Sequence, residues 1–521
     1  MTLLQHRRAP WVAAAALALL YVIVSPAAGD LPAQTYRTWL FEHEGPSLYD
    51  TAWYGGHHMP GYSLAYPPLA ALIGVQVAGA LGAIASAWFF ARIAEELVGD
   101  DAWLGSLWFG IATASTLLAG RLTFALGTAT ALAAVWLALH GRHRSSWAAA
   151  MLTAVSSPVA ALFLAMVAAA WWLHERRSPL LVLAIVATAP VLAMAIVFPE
   201  GGSQPMLTGT FIRTLIMALA ILAVVPRDLP VLRITAALYV VAIVASYALD
   251  TPMGSNVTRL GTLAAGPVLA CVLLPRWSAR VLVLLALPFL QWQWEAPVYD
   301  AYRAHGDPLV ERAAYTDVLR FLDERREAEG PFRVEVPFTR NHVDADLVAR
   351  RHPIARGWQR QLDLRRNPVF YEGTLTPERY RAWLEEQAVR YVALPRGKLD
   401  TSAITEAWLL RTGKVRGLTE VYSRGRWRVW RVDGPGTRRL ADSARVTALD
   451  HDTVTLEVPA SGTVLLRFRF TPYWRVSTGN ACVSKAPGAQ EWTSLRVTRP
   501  GRVRLVTTFS LARIGATGER C

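Results

Sequence analysis

Long runs of alanine, leucine, valine and isoleucine fill most of the chain from Trp11 to about Trp294 and then stop. An apolar run of about 20 residues is long enough to cross a hydrocarbon core of about 30 Å as a helix. Beyond Glu295 the composition becomes that of a water-soluble protein. The sequence therefore predicts a mainly α-helical polytopic membrane protein with a soluble C-terminal part.

Nine apolar runs predict full membrane spans. The first, Trp11–Ala28, follows Arg7 and Arg8, a pattern shared with secretory signal peptides. Because more spans follow it, we expect this segment to be retained as a membrane helix. The remaining predicted spans are Pro68–Ala91, Trp103–Ala119, Leu122–Leu139, Pro179–Phe198, Met206–Val225, Val231–Ala248, Thr258–Leu274 and Val281–Trp294.

One further apolar run, Trp147–Trp171, is interrupted by Ser156-Ser157-Pro158 and has arginines on both flanks. We interpret it as two short helices that enter the membrane and return, or as two full spans. The total is then about 9–11 transmembrane helices. Basic loops face the cytoplasm, so the N-terminus is predicted inside and the C-terminal domain outside a bacterial plasma (inner) membrane.

The predicted domains are 1–296, 297–436 and 437–521. The first is the membrane domain, which includes a large outer loop at 29–68. In the second, a helix at Ala314–Arg326 and a hairpin at Val421–Val432 indicate a small α/β unit. The third contains only alternating strands and is predicted to be a β-sandwich.

The net charge of +14 comes from arginine, since the chain has only three lysines. The arginines are scattered and no nucleic-acid motif accompanies them, so no nucleic-acid partner is predicted. Cys482 and Cys521 lie in the predicted outer domain, where a disulfide is one possible arrangement.

The outer loop 29–68 is about four times longer than a simple connection needs, and it is rich in carboxylates, histidines and aromatic residues. Asp30 stands directly outside the first span. There it can act as a general base on an acceptor hydroxyl, or it can cap the helix predicted at Leu31–His43. Asp50 is a candidate second catalytic acid. Glu42 and Glu44 are candidate sugar contacts or solvated charges.

His57 and His58 lie in the same loop. Adjacent histidines point in different directions on most backbones, and no motif with metal-ligand spacing supports them. We therefore predict substrate hydrogen bonding or a structural role. No metal site or certain cofactor is assigned, and a divalent cation is kept as an alternative.

Three arginines interrupt the predicted membrane half on its outer side. Arg121 and Arg259 fall on short outer loops, and Arg213 lies inside a span. Guanidinium groups at this surface suit the phosphate of a lipid-linked donor. The alternative is a set of internal salt bridges with Asp30, Asp50 or Asp250.

The soluble segment Ala355–Asp363 concentrates Trp358, Gln359 and Arg360. An aromatic face beside amide and guanidinium donors is typical of saccharide binding. The same residues also suit a basic surface loop that docks on the membrane half.

These features together resemble the GT-C superfamily of membrane glycosyltransferases. Asp30 occupies the place of that family's catalytic acid, alone where many members carry two adjacent acids, and the sequence YPPL at Tyr66–Leu69 resembles the exit of the family's first loop. Similar segments occur in large bacterial members of the superfamily: Arg356–Asp363, Trp383–Pro395 and Phe470–Val476.

The resemblance implies a polyprenyl-phosphate-linked sugar as donor and a glycan, lipid or protein acceptor outside the bilayer. Sugar transfer would invert the anomeric carbon and serve cell-envelope glycan assembly. Two other functions remain open on the sequence. One is a transporter or flippase of a lipid-linked anion, which the broken helix would suit. The other is a non-catalytic scaffold for envelope assembly.

Overall fold

The computed structural model describes residues 3–274, 277, 279–434 and 440–521. It divides into two compact units. The first, the membrane unit, consists of Met1–Gln34, Gly61–Ala195 and Gly201–His305. The second, the C-terminal unit, consists of Thr35–Pro60, Ile196–Glu200 and Gly306–Cys521.

The membrane unit is helical, since nearly every apolar run forms a helix, although the predicted span Pro68–Ala91 is divided at Gly74 and the predicted span Val281–Trp294 extends to Ala304. Its helices are α1 Leu3–Val24, α2 Leu31–Glu44, α3 Tyr66–Ile73, α4 Val75–Val98, α5 Trp103–Leu118, α6 Leu122–Leu139, α7 His143–Ser156, α8 Pro158–Glu175, α9 Ser178–Val197, α10 Thr208–Val224 and α11 Pro230–Ala248. They are followed by α12 Thr258–Leu260, α13 Gly266–Leu273 and α14 Ala279–Ala304. Most of α2, from Thr35 onward, and the last two residues of α9 belong to the C-terminal unit.

Among the described residues, seven helical segments are long and apolar enough to cross a membrane, and α10 is a shorter apolar helix. The predicted mainly helical polytopic fold class with a C-terminal β-rich region is therefore confirmed. The predicted interruption at Ser156-Ser157-Pro158 is also present, between α7 and α8. Ser157 has extended backbone and accepts a hydrogen bond from the Ala160 amide, while Pro158 begins α8.

The predicted span Thr258–Leu274 is irregular. A 3₁₀ turn at Gly254–Val257 leads into α12, and a π-helical segment at Gly261–Ala265 separates α12 from α13. π-helical segments are rare and often lie at functional sites, because the extra residue per turn changes which side chains face a site. This segment begins two residues after Arg259.

The C-terminal unit contains an α/β part built on a four-stranded sheet. Its strands are β3 Arg333–Glu335, β4 Val389–Pro395, β5 Leu418–Arg424 and β6 Trp427–Val432, in the order β3-β4-β6-β5. The predicted hairpin is thus confirmed, with Arg424 opposite Trp427. The helices of this part are α15 Thr316–Glu329, α16 Val343–Leu347, α17 Arg360–Arg366, α18 Pro377–Glu386 and α19 Ile404–Arg411.

The remaining strands form the predicted β-sandwich, which consists of two antiparallel sheets ordered β10-β13-β8-β7 and β11-β12-β9. Their shared core includes Leu456, Phe468 and Leu505. A disulfide joins Cys482 to Cys521. The strands are β7 Arg445–Leu449, β8 Thr453–Val458, β9 Gly462–Arg469, β10 Trp474–Thr478, β11 Ala481–Lys485, β12 Trp492–Val497 and β13 Gly501–Thr507.

Part of the predicted outer loop belongs to the C-terminal unit, and this division differs from the predicted ranges 1–296 and 297–436. Two short strands, β1 Tyr49–Asp50 and β2 His57–His58, pair within it. The turn between them holds the fully buried Trp53 and Tyr54. The Trp53 indole donates to the Ala345 carbonyl at 2.9 Å. The predicted boundary at 436 and 437 lies outside the described residues.

Candidate active site

Asp30 lies in the turn between α1 and α2, and a second turn packs directly against it. Gly120, between α5 and α6, has φ +70°, and a Cβ atom there would stand 2.8 Å from the Leu31 nitrogen. Only glycine meets both the backbone angle and this close approach. The packing brings the next residue, Arg121, beside Asp30.

The buried side chain of Gln34 fixes the two turns to each other. Its amide nitrogen donates to the Gly120 carbonyl and to the Asp30 carbonyl, the latter at 3.1 Å. Its amide oxygen accepts from the Leu122 amide at 3.1 Å. Leu122 is the first residue of α6, where backbone N–H groups have no partner within the helix. Gln34 therefore stabilises the start of α6 and the position of Asp30 together.

Two arginines share the Asp30 carboxylate. Oδ2 of Asp30 lies 3.5 Å from Nε of Arg121 and 3.8 Å from Nη2 of Arg259. The side chains of Asp30 and Arg121 are 35% and 34% exposed, and that of Arg259 is 19% exposed. The group is therefore partly buried but reachable from outside the protein.

These distances are longer than the 2.7–2.9 Å or so that a charge-assisted hydrogen bond takes. The buried Nε of Arg121 accordingly has no hydrogen-bond partner. One carboxylate faces two guanidinium groups, so the cluster carries a surplus positive charge. An arrangement of this kind attracts a second anion, and planar guanidinium groups bind phosphate oxygens well.

A polar network in the helix core holds the irregular segment beside Arg259. The Tyr239 hydroxyl donates to the Val257 carbonyl at 3.0 Å and accepts from the Gly261 amide at 3.1 Å. The Gln293 amide donates to the Thr262 carbonyl at 2.8 Å. Backbone groups released by a non-α segment need such partners, because no water replaces them in the membrane. The network therefore fixes the backbone that carries Arg259.

An apolar cavity of about 560 Å³ begins next to this cluster. Phe124 lines it, and the Arg259 guanidinium lies 5.7 Å from the centre of the Phe124 ring. The lining continues along α6, α8, α11 and α13, and His174 and Asp228 are among its last residues. Thr128 and Val135 on one helix show that it extends over at least two turns.

Arg213 has a different partner from the other two arginines. Its guanidinium pairs with Glu295 of α14 at 2.6 Å, and both side chains are about half exposed. The structure therefore brings Arg121 and Arg259 to Asp30 and places Arg213 in a separate ion pair. From the sequence, the ion-pair partners considered for Arg213 were Asp30, Asp50 and Asp250. Glu295 was not among them.

Asp50 is fully buried in the C-terminal unit. His451 lies 3.0 Å from its Oδ1, the Tyr36 hydroxyl donates to Oδ2 at 3.0 Å, and the Ala52 amide donates to Oδ1. Burial opposes ionisation of Asp50, but the hydrogen bond and charge of His451 outweigh it, so the pKa of Asp50 is lowered. The structure gives this carboxylate the surroundings of a buried ion pair, and its predicted catalytic role stays a prediction.

The two histidines of the loop are also buried. His57 stacks on Trp53 with ring centres 5.4 Å apart, and burial lowers the pKa of His57 to about 4. His58 pairs with Glu200 at 2.8 Å and contacts the Thr471 hydroxyl at 2.9 Å. These contacts are internal to the C-terminal unit and fit the structural alternative.

Glu42 and Glu44 are exposed at the end of α2. Their proposed sugar contacts stay predictions.

Among the described residues, one group of three potential metal ligands lies within reach of a single ion: Cys482, Glu519 and Cys521. Its two cysteines are joined in the disulfide.

The segment around Trp358 is held by stacking and ion pairs. The Trp358 ring lies 3.3 Å from the His342 ring and 4.9 Å from the Arg360 guanidinium. Arg360 forms two hydrogen bonds to Asp400, at 2.8 and 3.1 Å, and the backbone N–H of Gln359 donates to the Tyr54 hydroxyl. The predicted saccharide contacts of these half-buried residues stay predictions.

Sequence reasoning did not find Gln34, Tyr239 or Gln293. Each contacts backbone groups far away in the chain, as Gln34 does at Gly120. No spacing rule in the sequence links such residues. An uncharged polar side chain inside or beside an apolar run is the one signal that could have identified them.

No family model matches the chain, and no curated protein matches it. Among solved structures, it is similar to the arabinofuranosyltransferase AftD from Mycobacteria, with 14% identity and a TM-score of 0.46 over 98% of this chain and 58% of AftD. The chain thus spans less than two thirds of AftD.

The chain is also similar to ArnT from Cupriavidus metallidurans in the apo state, with 13% identity and a TM-score of 0.40 over 79% of this chain and 97% of ArnT. For ArnT bound to undecaprenyl phosphate the identity is 16% and the TM-score 0.38, over 80% of this chain and 97% of ArnT.

Proposed function

We propose that this protein is a GT-C-type membrane glycosyltransferase that transfers a sugar from a polyprenyl-phosphate donor to an acceptor hydroxyl. The observation that carries the proposal is the cluster of Asp30, Arg121 and Arg259, together with the apolar cavity that their neighbours Phe124 and Leu260 line. A phosphate with a long apolar tail matches both parts at once. The guanidinium groups receive the phosphate, and the cavity receives part of the tail.

The chemistry follows from the charges of the cluster. An arriving phosphate competes with Asp30 for the two guanidinium groups, which hold Asp30 only loosely. Asp30 is then available to take the proton of the acceptor hydroxyl. The acceptor oxygen forms its bond to the anomeric carbon from the side opposite the phosphate, and the bond between that carbon and the phosphate oxygen breaks.

The leaving group is a polyprenyl phosphate, which gains negative charge as the bond breaks. Arg121 and Arg259 stabilise this charge more strongly in the transition state than in the bound donor. The residues named here carry out this mechanism without a metal ion. The alternative, that a divalent cation is needed, is tested by adding a chelator to the sugar-transfer assay.

One further feature bears on where the reaction takes place. The Cys482–Cys521 disulfide suits an oxidising compartment, so we place the C-terminal unit outside a plasma (inner) membrane. The acceptor is then a glycan, lipid or protein of the cell envelope.

Arg259 and Arg213 provide a matched test. Purified protein in nanodiscs is titrated with undecaprenyl phosphate, and binding is compared among wild type, Arg259→Ala and Arg213→Ala. Loss of a charge-assisted hydrogen bond costs roughly 1.5–3 kcal/mol, so Arg259→Ala should weaken binding roughly 10- to 150-fold. Arg259→Lys should recover part of it, because the charge returns without the planar fork.

Arg213→Ala removes the same side chain from the separate pair with Glu295 and should bind like wild type. Equal binding by Arg259→Ala and wild type would show that the cluster is not the phosphate site. Failure of wild-type protein to bind any polyprenyl phosphate or sugar-linked form would favour the scaffold function.

A further inference from the structure

An apolar loop of the β-sandwich is exposed on the C-terminal unit. It follows β13 and includes Phe509 and Leu511, which are 44% and 75% exposed. Exposed apolar side chains that lie next to each other are a frequent mark of an interaction surface.

This loop packs beside Val197 and Phe198, at the end of α9, which belong to the same C-terminal unit. The ring of Phe509 lies 6.1 Å from that of Phe198 and 5.4 Å from that of Tyr473. The Tyr473 hydroxyl donates to the Val197 carbonyl at 2.7 Å, and the Thr508 amide donates to the Tyr473 carbonyl at 2.9 Å. Tyr473 therefore connects the loop to Val197, the last residue of α9.

The end of α9 marks the edge of the bilayer. The helix has 20 residues and the highest mean hydropathy, 2.8, of the candidate spans. At 1.5 Å per residue it is about 30 Å long, which equals the thickness of the hydrocarbon core. A helix of this length that crosses the bilayer ends at the lipid headgroups, so we expect Val197 there, and Ile196 beside it is 66% exposed.

Arginines adjoin the apolar loop. Arg513 is held by the Pro472 and Gly518 carbonyls, and Arg520 donates to the Trp474 carbonyl at 3.3 Å. Arg475 directly follows Trp474 and lies opposite Val506, near the end of β13. Burial and then the charges of Arg513 and Arg475 lower the pKa of Arg520. Such a group attracts anionic lipid headgroups.

We propose that the loop 508–513, together with Arg475 and Arg520, is a contact of the β-sandwich with the surface of an anionic lipid bilayer. Phe509 and Leu511 enter the interface, where aromatic and apolar side chains gain most from leaving water. The arginines contact lipid phosphates. This contact depends on α9 crossing a bilayer and is independent of the proposed transferase activity.

The test uses the full chain in nanodiscs, with an environment-sensitive fluorophore attached to Leu511→Cys. Ser461→Cys is the control, because Ser461 is exposed in the turn before β9, near the opposite end of β13. Seven residues of strand separate the two ends by about 20 Å. Wild type supplies the blank, since its free Cys271 is buried.

Lipids with brominated acyl chains should quench most of the emission from residue 511 and leave that from residue 461 unchanged. Quenching at 511 should increase when phosphatidylglycerol is added to phosphatidylcholine. In the Arg475→Gln/Arg520→Gln background this increase should be lost.

Equal, weak quenching at the two positions would overturn the lipid contact and assign the loop to water or to a protein partner. Quenching at 511 that does not depend on phosphatidylglycerol would support the apolar contact and overturn the role of the arginines.

Discussion

The substitution Gln34→Leu tests whether the two turns at the candidate active site act together. Leucine has a similar size but removes the hydrogen bonds to Gly120, Asp30 and Leu122. At least two buried backbone groups, the Gly120 carbonyl and the Leu122 amide, then lose a partner. Each such loss costs roughly 1–3 kcal/mol, so we expect destabilisation of roughly 2–6 kcal/mol.

Part of this energy holds Arg121 beside Asp30. Each increase of about 1.4 kcal/mol in the activation free energy, caused by a misplaced Arg121, lowers the rate about tenfold. We therefore expect turnover at saturating donor to fall at least tenfold, together with the melting temperature. The measurements are sugar transfer from a polyprenyl-phosphate donor and thermal unfolding followed by tryptophan fluorescence, both in detergent.

Gln76→Leu is the matched control. Gln76 lies in the same unit and forms one exposed hydrogen bond, to Ser25 at 3.1 Å, so its loss should leave both measurements near wild type. If Gln34→Leu also keeps wild-type turnover and melting temperature, Gln34 does not fix the two turns. A lower melting temperature with unchanged turnover at saturating donor would leave Gln34 a structural role alone.

Three other substitutions give separate predictions. Asp30→Asn should lower turnover roughly 10²–10⁴-fold, the usual range for a general base, while undecaprenyl phosphate binding is retained; full turnover would leave Asp30 a structural residue. His451→Gln should remove a pH dependence of the free energy of unfolding. The lowered pKa of Asp50 stabilises the fold above about pH 4, and this stabilisation is lost as the pH falls. The raised pKa of His451 stabilises the fold below about pH 6.5, and this stabilisation is lost as the pH rises through the raised pKa. The free energy of unfolding of the wild type should therefore be highest between roughly pH 4 and 6.5. An identical pH profile for the variant would refute this role. Membrane-impermeant maleimide on intact cells should label Ser461→Cys and not Ser145→Cys, and the reverse pattern would invert the proposed orientation.

The local elements were predictable from the sequence because local signals determine them. Pro158 after two serines predicted the break between α7 and α8, and the pattern of Val421–Val432 predicted the hairpin of β5 and β6. The limits of α6 were predicted to the residue, since polar residues adjoin both ends of its apolar run.

Long-range pairs could not be predicted in this way. Arg121 and Arg259 were each identified as candidate anion ligands, but only the packing of the helices showed that they share Asp30. The pair between Asp50 and His451 joins residues 401 positions apart, and neither has a local motif. Three-dimensional packing, and not spacing along the chain, decides such contacts.

The incorporation of Tyr49–His58 into the C-terminal unit has a consequence for biosynthesis. Asp50 is translated 401 residues before its partner His451. At about 5–20 residues per second, this segment leaves the ribosome on the order of 20–80 s before the partner does. Throughout that interval Trp53, Tyr54 and His57 have no completed core to enter, so a chaperone or the membrane surface has time to bind them. Contacts of such high sequence separation also make closure of this unit a late and slow step of folding.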